Sequence, residues 1–252
     1  MSTQKIAYLF DGLLAFSGSD LRNELHAHYF ASLYIGDAVR VELEDGRCLQ
    51  GDCILVGPNT TQAFDAGGRP FLDLLMDPES IYFDMLSERL GRADAVVLDA
   101  AALQPYQDSL RLIIRGEATC ADALEIVLQV ISLLGNRLPV RRPKDPRITE
   151  VARALSAELP IDPLTSELAA QCDLSTSRFM ALFKAQMGLP VSQYILWHRL
   201  LLAARMSQDR QRFTDISVES GFYDQAHFTR TVRRMLGISP TALYGQVYYC
   251  FD

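Results

Sequence analysis

The stretch GFYDQAHFTRTVRRMLGISP, residues 221–240, decides how the second half of this chain folds. Gly221 tolerates the backbone angles of a tight turn, and Asp224 is suited to the N-cap of a helix. Phe228 and Val232 are four residues apart, which places both on one face of that helix. Three arginines lie in the same helix, and a second turn follows. The stretch therefore predicts a short basic helix between two turns.

A second segment, 164–195, repeats the plan of 213–244. Each has a short helix, a tight turn, a longer helix and a glycine–proline breaker, and 49 residues separate Ser175 from its counterpart Asp224. Each copy is a helix-turn-helix candidate, whose second helix needs an apolar face for the fold and a polar face for DNA. A connecting helix of about 18 residues spans roughly 27 Å. It would place the two helices in successive major grooves of double-stranded DNA.

The outward faces of the two predicted recognition helices carry the candidate DNA contacts. They are Thr176, Ser177, Arg178, Ala181 and Lys184 in the first copy, and Gln225, Ala226, Thr229, Arg230 and Arg233 in the second. Gln225 can pair with an adenine edge, and Arg230 with guanine or a phosphate. Arg230 could instead brace the fold through a salt bridge. In the connecting helix we expect Trp197 in the core and His198 and Arg199 at the surface or facing phosphate.

The last hundred or so residues resemble the DNA-binding domain of the AraC/XylS family of transcription regulators. The match rests on Gly221, Phe222, Asp224, Phe228, Arg230, Arg233, Gly237, Ser239, Pro240 and Tyr244. This chain departs from the family pattern at Ala181, Ser217, Ala226, Val232 and Gly245. Because the side chains of Ser177 and Ala181 are short, we expect the first motif to contact the DNA backbone and methyl groups more than to form hydrogen bonds with bases. The resemblance implies a sequence-specific regulator that is not an enzyme, with RNA polymerase as a partner if it is an activator.

The first half has a different pattern. Alternating apolar and polar residues with turns such as Asp45-Gly46 predict strands over about the first 77 residues, and helical spacing begins at Pro78. The proline-rich basic segment 138–147 predicts a linker. The fold class is thus α+β with two domains. We expect residues 145–252 to form an all-α domain with two helix-turn-helix motifs, and the family resemblance implies that residues 1–140 form a sensing and dimerisation domain. A looser resemblance of the first half to the family's cupin-like domain implies a small β-barrel with helices.

The same resemblance implies a small-molecule effector in the first domain. His26 and His28 are two apart on a predicted strand, so both imidazoles could share an interior, and Tyr34 could line a pocket with them. The glutamate and second histidine of a cupin metal site are missing, because Ser32 and Gln62 stand in their places. We therefore expect no metal and no cofactor. Structural histidines, a regulator controlled by a protein partner, and a cupin-type metal or ligand-binding protein remain alternatives.

An aliphatic stripe in the segment 120–138 allows two interpretations. The helix around Leu124–Leu134 could cover the β-structure of its own domain, or it could form a homodimer. Nothing in the sequence decides between them.

Charge and composition set the remaining limits. The formal net charge is −7, but residues 1–140 contribute −10 and residues 141–252 contribute +3, which suits the second half to a polyanion. No apolar run reaches the roughly 18 residues of a membrane span, and the N-terminus lacks the pattern of a signal peptide. The five scattered cysteines predict reduced thiols in a cytoplasmic protein.

Overall fold

The computed structural model describes residues 5–10, 12–27, 29–78, 80–135, 145–158, 164–187, 190–206, 212–236, 239–240 and 246–250. The chain forms two compact units: residues 1–141 together with 233–252, and residues 142–232. The first unit is rich in sheet and the second is helical, so the two-domain α+β architecture is confirmed. The predicted linker, 138–147, lies mostly outside the described residues.

One sheet of nine strands organises the described part of the first unit. The strands are β1 (Ile6–Phe10), β2 (Leu13–Gly18), β3 (His26–Ala27), β4 (Ala31–Leu43), β5 (Cys48–Val56), β6 (Thr61–Asp65), β7 (Phe71–Met76), β8 (Ala95–Val97) and β9 (Gln246–Tyr249). Their order is β3-β6-β4-β7-β2-β1-β9, with β5 pairing with β4 and β8. All neighbours are antiparallel except β1 and β9.

Strand β4 sets the shape of this sheet. The register of its pairing with β5 shifts between Ile35 and Val39, and Ala38 between them has a positive φ of 52°. Such a bulge bends a strand and increases its twist. The first half of β4 therefore pairs with β7, and the second half pairs with β6.

Three helices cover one face of the sheet. They are α1 (Ile81–Leu90), α2 (Gln107–Arg115) and α3 (Cys120–Leu134), with a 3₁₀ helix at Ala100–Tyr106 before α2. In α3 the buried side chains are Ala123, Val127, Val130, Ile131 and Leu134, and they join the core formed with β1, β2, β4 and β7. The interpretation in which this helix covers its own sheet is thus the one that the packing favours, while a dimer through Leu124–Leu134 stays a prediction.

Strand β9 corrects two predictions. We expected helix throughout the region after the linker, but Gln246–Tyr249 form a strand that pairs in parallel with β1. We expected reduced thiols, but Cys120 and Cys250 form a disulfide, with Cα atoms 5.4 Å apart. Both contacts join positions more than a hundred residues apart, so no local pattern signals them. They also explain why residues 233–252 group with the first unit, although the predicted DNA-binding domain runs from 145 to 252.

Helices make up the regular secondary structure of the described residues between 145 and 236. They are α4 (Pro146–Glu158), α5 (Thr165–Gln171), α6 (Thr176–Met187), α7 (Val191–Met206), α8 (Phe213–Glu219) and α9 (Gln225–Leu236). The sequence predicts helices over 147–157, 164–171, 175–186, 191–207, 214–220 and 224–236, so each begins and ends within one residue of its predicted bounds. The further helix predicted at 240–246 falls largely on residues outside the description. No helix in the described ranges is long and apolar enough to cross a membrane.

Candidate nucleic-acid interface and sensor region

Helices α5 and α6 form the first helix-turn-helix motif. The hydroxyl of Ser175 accepts a hydrogen bond from the Arg178 amide at 3.3 Å, as expected of an N-cap at the start of α6. Phe179 and Phe183 are fully buried, and Phe183 meets Tyr194 of α7 edge to face at 5.5 Å. The apolar face of α6 is thus fixed by aromatic packing, which orients its other face toward solvent.

The solvent face of α6 carries the predicted contacts of the first copy. Thr176, Ser177, Arg178, Ala181 and Lys184 are all exposed. Met180 lies among them and is also exposed, so the face offers a methyl-bearing surface between two cations. Short side chains at Ser177 and Ala181 bring the backbone of α6 close to any ligand on this face.

Helices α8 and α9 form the second motif. The carboxylate of Asp224 caps α9 by accepting a hydrogen bond from the His227 amide at 2.5 Å. Phe228 is buried, and its ring meets that of Phe222 at 5.2 Å. Val232 is fully buried one turn later. These contacts seat α9 in the orientation that its sequence predicts.

The exposed face of α9 contains the predicted base-reading side chains. Gln225, Ala226, Arg230 and Arg233 are exposed, whereas Thr229 is half-buried and donates its hydroxyl proton to the Gln225 carbonyl at 2.8 Å. The Gln225 amide oxygen accepts a hydrogen bond from Thr214 at 3.2 Å. Among the described residues Arg230 has no ion pair, so the bracing salt bridge is not formed within that part of the chain.

The turns of the two motifs differ in length. Four residues separate α5 from α6, and five separate α8 from α9. The left-handed residue of the turn is Asp173 (φ 54°) in the first motif and Gly221 (φ 84°) in the second. The 49-residue repeat therefore holds for the recognition helices, while the first helices are 48 residues apart.

Gly221 also makes room for a buried arginine. Arg199 of α7 is only 7% exposed, and a Cβ on Gly221 would lie 3.0 Å from its Nε. The prediction that Arg199 is at the surface is therefore wrong. The neighbouring Trp197 is buried as predicted, and His198 packs against Tyr194 with ring centroids 4.5 Å apart. The motif thus rests on α7 through a close approach that glycine allows.

Sequence reasoning missed one prominent side chain beside this face. Tyr223 stands immediately before the cap of α9 and is 90% exposed. Its backbone amide donates to Nδ1 of His227 at 3.4 Å, and the half-buried His227 ring meets Phe222 edge to face. The available signal was a large aromatic residue in a turn, between Phe222 and Asp224. A side chain at such a turn position is not expected to pack into the core.

In the first domain, the predicted effector residues do not all come together around an open space. Tyr34 is 1% exposed and stacks on Phe64 with centroids 4.2 Å apart. His26 is buried on β3, and its Nδ1 lies 2.9 Å from the Glu24 carbonyl oxygen. Burial lowers the pKa of His26, so its neutral form is favoured. His28 lies outside the described residues.

Tyr34 belongs to a buried polar network that runs between strands. Its hydroxyl interacts with the side chains of Ser32 and Gln62, and Ser32 also bonds to Asp73 of β7. Burial raises the pKa of Asp73 well above its usual range, because an unsolvated carboxylate is costly. The protonated form of Asp73 is therefore favoured over what is usual for an aspartate. Its Oδ1 is buried with no hydrogen-bond partner in the described ranges.

A groove of about 380 Å³ lies elsewhere on this domain, on the outer side of the β4–β6 pair. Its lining residues are Arg22, Asn23, Glu24, Leu25, Arg40, Glu42, Ala63, Phe64 and Asp65. Arg40 directs its guanidinium to the Cys48 sulfur at 3.1 and 3.2 Å, and Arg22 lies 3.8 Å from Asp65. Two cations and three carboxylates thus surround a small apolar floor.

No group of three or more histidine, cysteine, aspartate or glutamate side chains in the described residues is arranged to hold a metal ion.

Two helix-turn-helix motifs joined by one helix define a DNA-binding domain. Residues 168–245 match the family described as "Helix-turn-helix domain". The probable transcriptional regulator LumQ of Photobacterium leiognathi is 40% identical over 77 residues, which are 30% of this chain and 31% of LumQ. The match thus spans about a third of that relative's length.

The whole chain is similar in fold to ToxT of Vibrio cholerae. One ToxT crystal structure has a TM-score of 0.57 at 10% identity and covers 93% of this chain and 98% of ToxT. An apo form of ToxT has a TM-score of 0.63 at 9% identity and covers 92% of this chain and 97% of ToxT. A form of ToxT with bound unsaturated fatty acid has a TM-score of 0.57 at 7% identity and covers 93% of this chain and 95% of ToxT. At these identities the likeness shows a shared fold.

Proposed function

We propose that this protein is a sequence-specific, AraC-type transcription regulator that binds two successive major grooves of double-stranded DNA. The observation that carries the proposal is the pair of helices α6 and α9, each with an exposed polar face and a buried aromatic face. Both lie within the segment that matches the helix-turn-helix family. The net positive charge of residues 141–252 supports the same partner.

The two helices have different roles in this proposal. Helix α6 positions the protein through Thr176, Ser177, Arg178 and Lys184, with Ala181 allowing close approach, because these side chains suit backbone and methyl contacts. Helix α9 reads bases through Gln225 and Arg230, with Ala226 and Thr229 against the groove and Arg233 on phosphate. Tyr223 extends this face at the N-terminal end of α9.

The proposal includes an effector that acts through the first domain. ToxT with bound unsaturated fatty acid shows that a protein of this fold takes a small organic ligand. In this chain the groove beside Arg22 and Arg40 offers guanidinium groups and carboxylates together, so a zwitterionic small molecule suits it better than a simple anion. His26 and Tyr34 do not line this groove, and the ring of Phe64 that stacks on Tyr34 is itself fully buried.

A protein partner is the second candidate for control of this regulator. The described interior around Tyr34 is filled by Phe64 and Phe71, whose rings lie 5.0 Å apart. A core of this kind has no room for a ligand without rearrangement. The acidic first half would then serve as the docking surface.

We also propose a cupin-like barrel for the first domain, a cytoplasmic location and a homodimer. The homodimer would form through the exposed side of α3, where Leu133 is 42% exposed. RNA polymerase is the partner if the protein activates transcription.

Selection of duplex DNA from a random pool tests the main proposal. The full-length protein should enrich a sequence with two motifs one turn apart, and its affinity for that duplex should exceed its affinity for random duplex at least a hundredfold. Arg233→Ala should lower affinity and reduce the dependence on salt, because it removes a phosphate contact. Arg153→Ala is the matched control, since Arg153 is an exposed arginine of α4 paired with Glu150. Equal affinity for selected and random duplexes would rule out a sequence-specific regulator.

Thermal shift of the full-length protein tests the effector. Amino acids and other zwitterionic small molecules should raise the melting temperature by mass action. Arg40→Ala should abolish the shift if the groove is the site. A shift that survives Arg40→Ala and Arg22→Ala would place the ligand elsewhere.

A further inference from the structure

The disulfide between Cys120 and Cys250 closes the chain onto itself at the end of β9. Cys250 directly follows the strand, and its amide donates to the Leu9 carbonyl at 3.0 Å. Tyr248 stacks on Tyr8 with centroids 4.7 Å apart, and its hydroxyl donates to the Gly116 carbonyl at 2.9 Å. These contacts hold a C-terminal strap, residues 246–250, against the first domain.

Strand β9 is a short element at the end of the strand order. It has four residues, and among the described strands it pairs with β1. A short edge strand gains little from its hydrogen bonds alone, because each replaces a hydrogen bond to water. The covalent bond keeps the strap close to β1, so pairing is favoured while the bond is intact.

The two cysteines are placed for reduction. Both are half-buried, so a thiol reagent can reach them. Cys120 is the first residue of α3, whose N-terminus is fixed by a capping box between Thr119 and Asp122. The N-terminus of a helix stabilises a thiolate, which makes Cys120 the better leaving group in thiol–disulfide exchange.

We propose that the Cys120–Cys250 disulfide is a redox switch that fastens the C-terminal strap to the first domain. A dithiol reductant attacks the Cys250 sulfur through a thiolate, the S–S bond breaks, and Cys120 leaves as a thiolate that takes up a proton. The second thiol of the reductant then displaces Cys250. Two electrons and two protons pass to the cysteines, and the reductant becomes a disulfide.

Hydrogen exchange on the full-length protein tests the fastening. In the oxidised protein the amides of residues 246–250 should exchange at least tenfold more slowly than after treatment with dithiothreitol. Cys250→Ser should show the fast rate in both conditions, and Cys48→Ser should behave as wild type, because Cys48 is an exposed free thiol outside the strap. Equal exchange in oxidised and reduced wild type would overturn the proposal.

Discussion

Gln225 is the residue on which base recognition by the second motif is expected to depend. It is exposed at the first position of α9, and its amide oxygen accepts a hydrogen bond from Thr214. That bond orients the amide before DNA arrives, which lowers the entropy cost of forming a bidentate contact. Arg234 is exposed near the other end of the helix, where contacts with phosphate are expected.

Substitution at these two positions should separate specificity from affinity. Gln225→Ala should relax the base preference at one position of the selected site, at a cost of about 1–3 kcal/mol against the preferred base. Arg234→Ala should weaken binding to all sequences alike. The measurement is affinity for a panel of duplexes with single base changes. An unchanged preference in Gln225→Ala would mean that α9 enters the groove in a different orientation.

Asp73 should make the stability of the first domain depend on pH. Its pKa in the folded protein is raised, so between the unfolded value near 3.9 and the folded value the folded state holds a proton that the unfolded state lacks. Stability in that window falls as pH rises, by at most about 1.4 kcal/mol per pH unit. Asp73→Asn should flatten this slope in urea unfolding followed as pH rises above the unfolded value. Parallel curves for the variant and wild type would contradict a raised pKa for Asp73.

At the scale of the element, the turn between α8 and α9 combines two requirements. The backbone at Gly221 is left-handed, and Gly221 lies beside the guanidinium of Arg199. The shorter turn of the first motif meets the first requirement with Asp173. The second motif needs glycine because a larger residue at position 221 would also approach Arg199 of α7 too closely.

Gly221→Ala should therefore destabilise the second unit by about 1–3 kcal/mol. Gly46→Ala is a control for backbone strain alone, because Gly46 has a φ of 82° and a Cβ added there would meet nothing within 4 Å. Chemical denaturation, followed by circular dichroism for the helical unit, measures the effect. A Gly221→Ala cost no larger than that of Gly46→Ala would show that Arg199 moves aside freely.

At the scale of the whole molecule, α7 sets the distance between the two recognition helices. Its 16 residues span about 24 Å at 1.5 Å per residue. Buried side chains on α7, among them Tyr194, Trp197 and Leu200, tie it into the packing of the second unit. We therefore expect the two motifs to bind DNA as one rigid unit.

Changes in the spacing of the DNA site test this rigidity. Insertion of five base pairs between the half-sites rotates one by about half a turn and should lower affinity at least tenfold. Insertion of ten base pairs restores the rotation but adds about 34 Å, so a rigid α7 should give no recovery. Gel-shift titration of the three duplexes measures the effect. Recovery with ten base pairs would show a flexible connection.

Several features of the candidate site could be predicted from the sequence because they depend on neighbours in the chain. The caps at Ser175 and Asp224 and the buried faces of α6 and α9 follow from local hydrogen bonding and the helical period. The burial of Arg199 could not be predicted, since an arginine side chain is mostly exposed in folded proteins. The turn of the second motif is one residue longer than the turn of the first. This difference is not visible when the two copies are aligned at a constant spacing of 49 residues, because that spacing holds only for the recognition helices.

The sequence by itself determined the division into a sheet-rich and a helical half, the two helix-turn-helix motifs and the faces they expose, because periodicity, caps and turn residues act within a few positions. Only the tertiary structure decided the Cys120–Cys250 bond, the pairing of β9 with β1 and the raised pKa of Asp73. Each of these depends on groups brought together from distant parts of the chain, where burial and proximity change their chemistry.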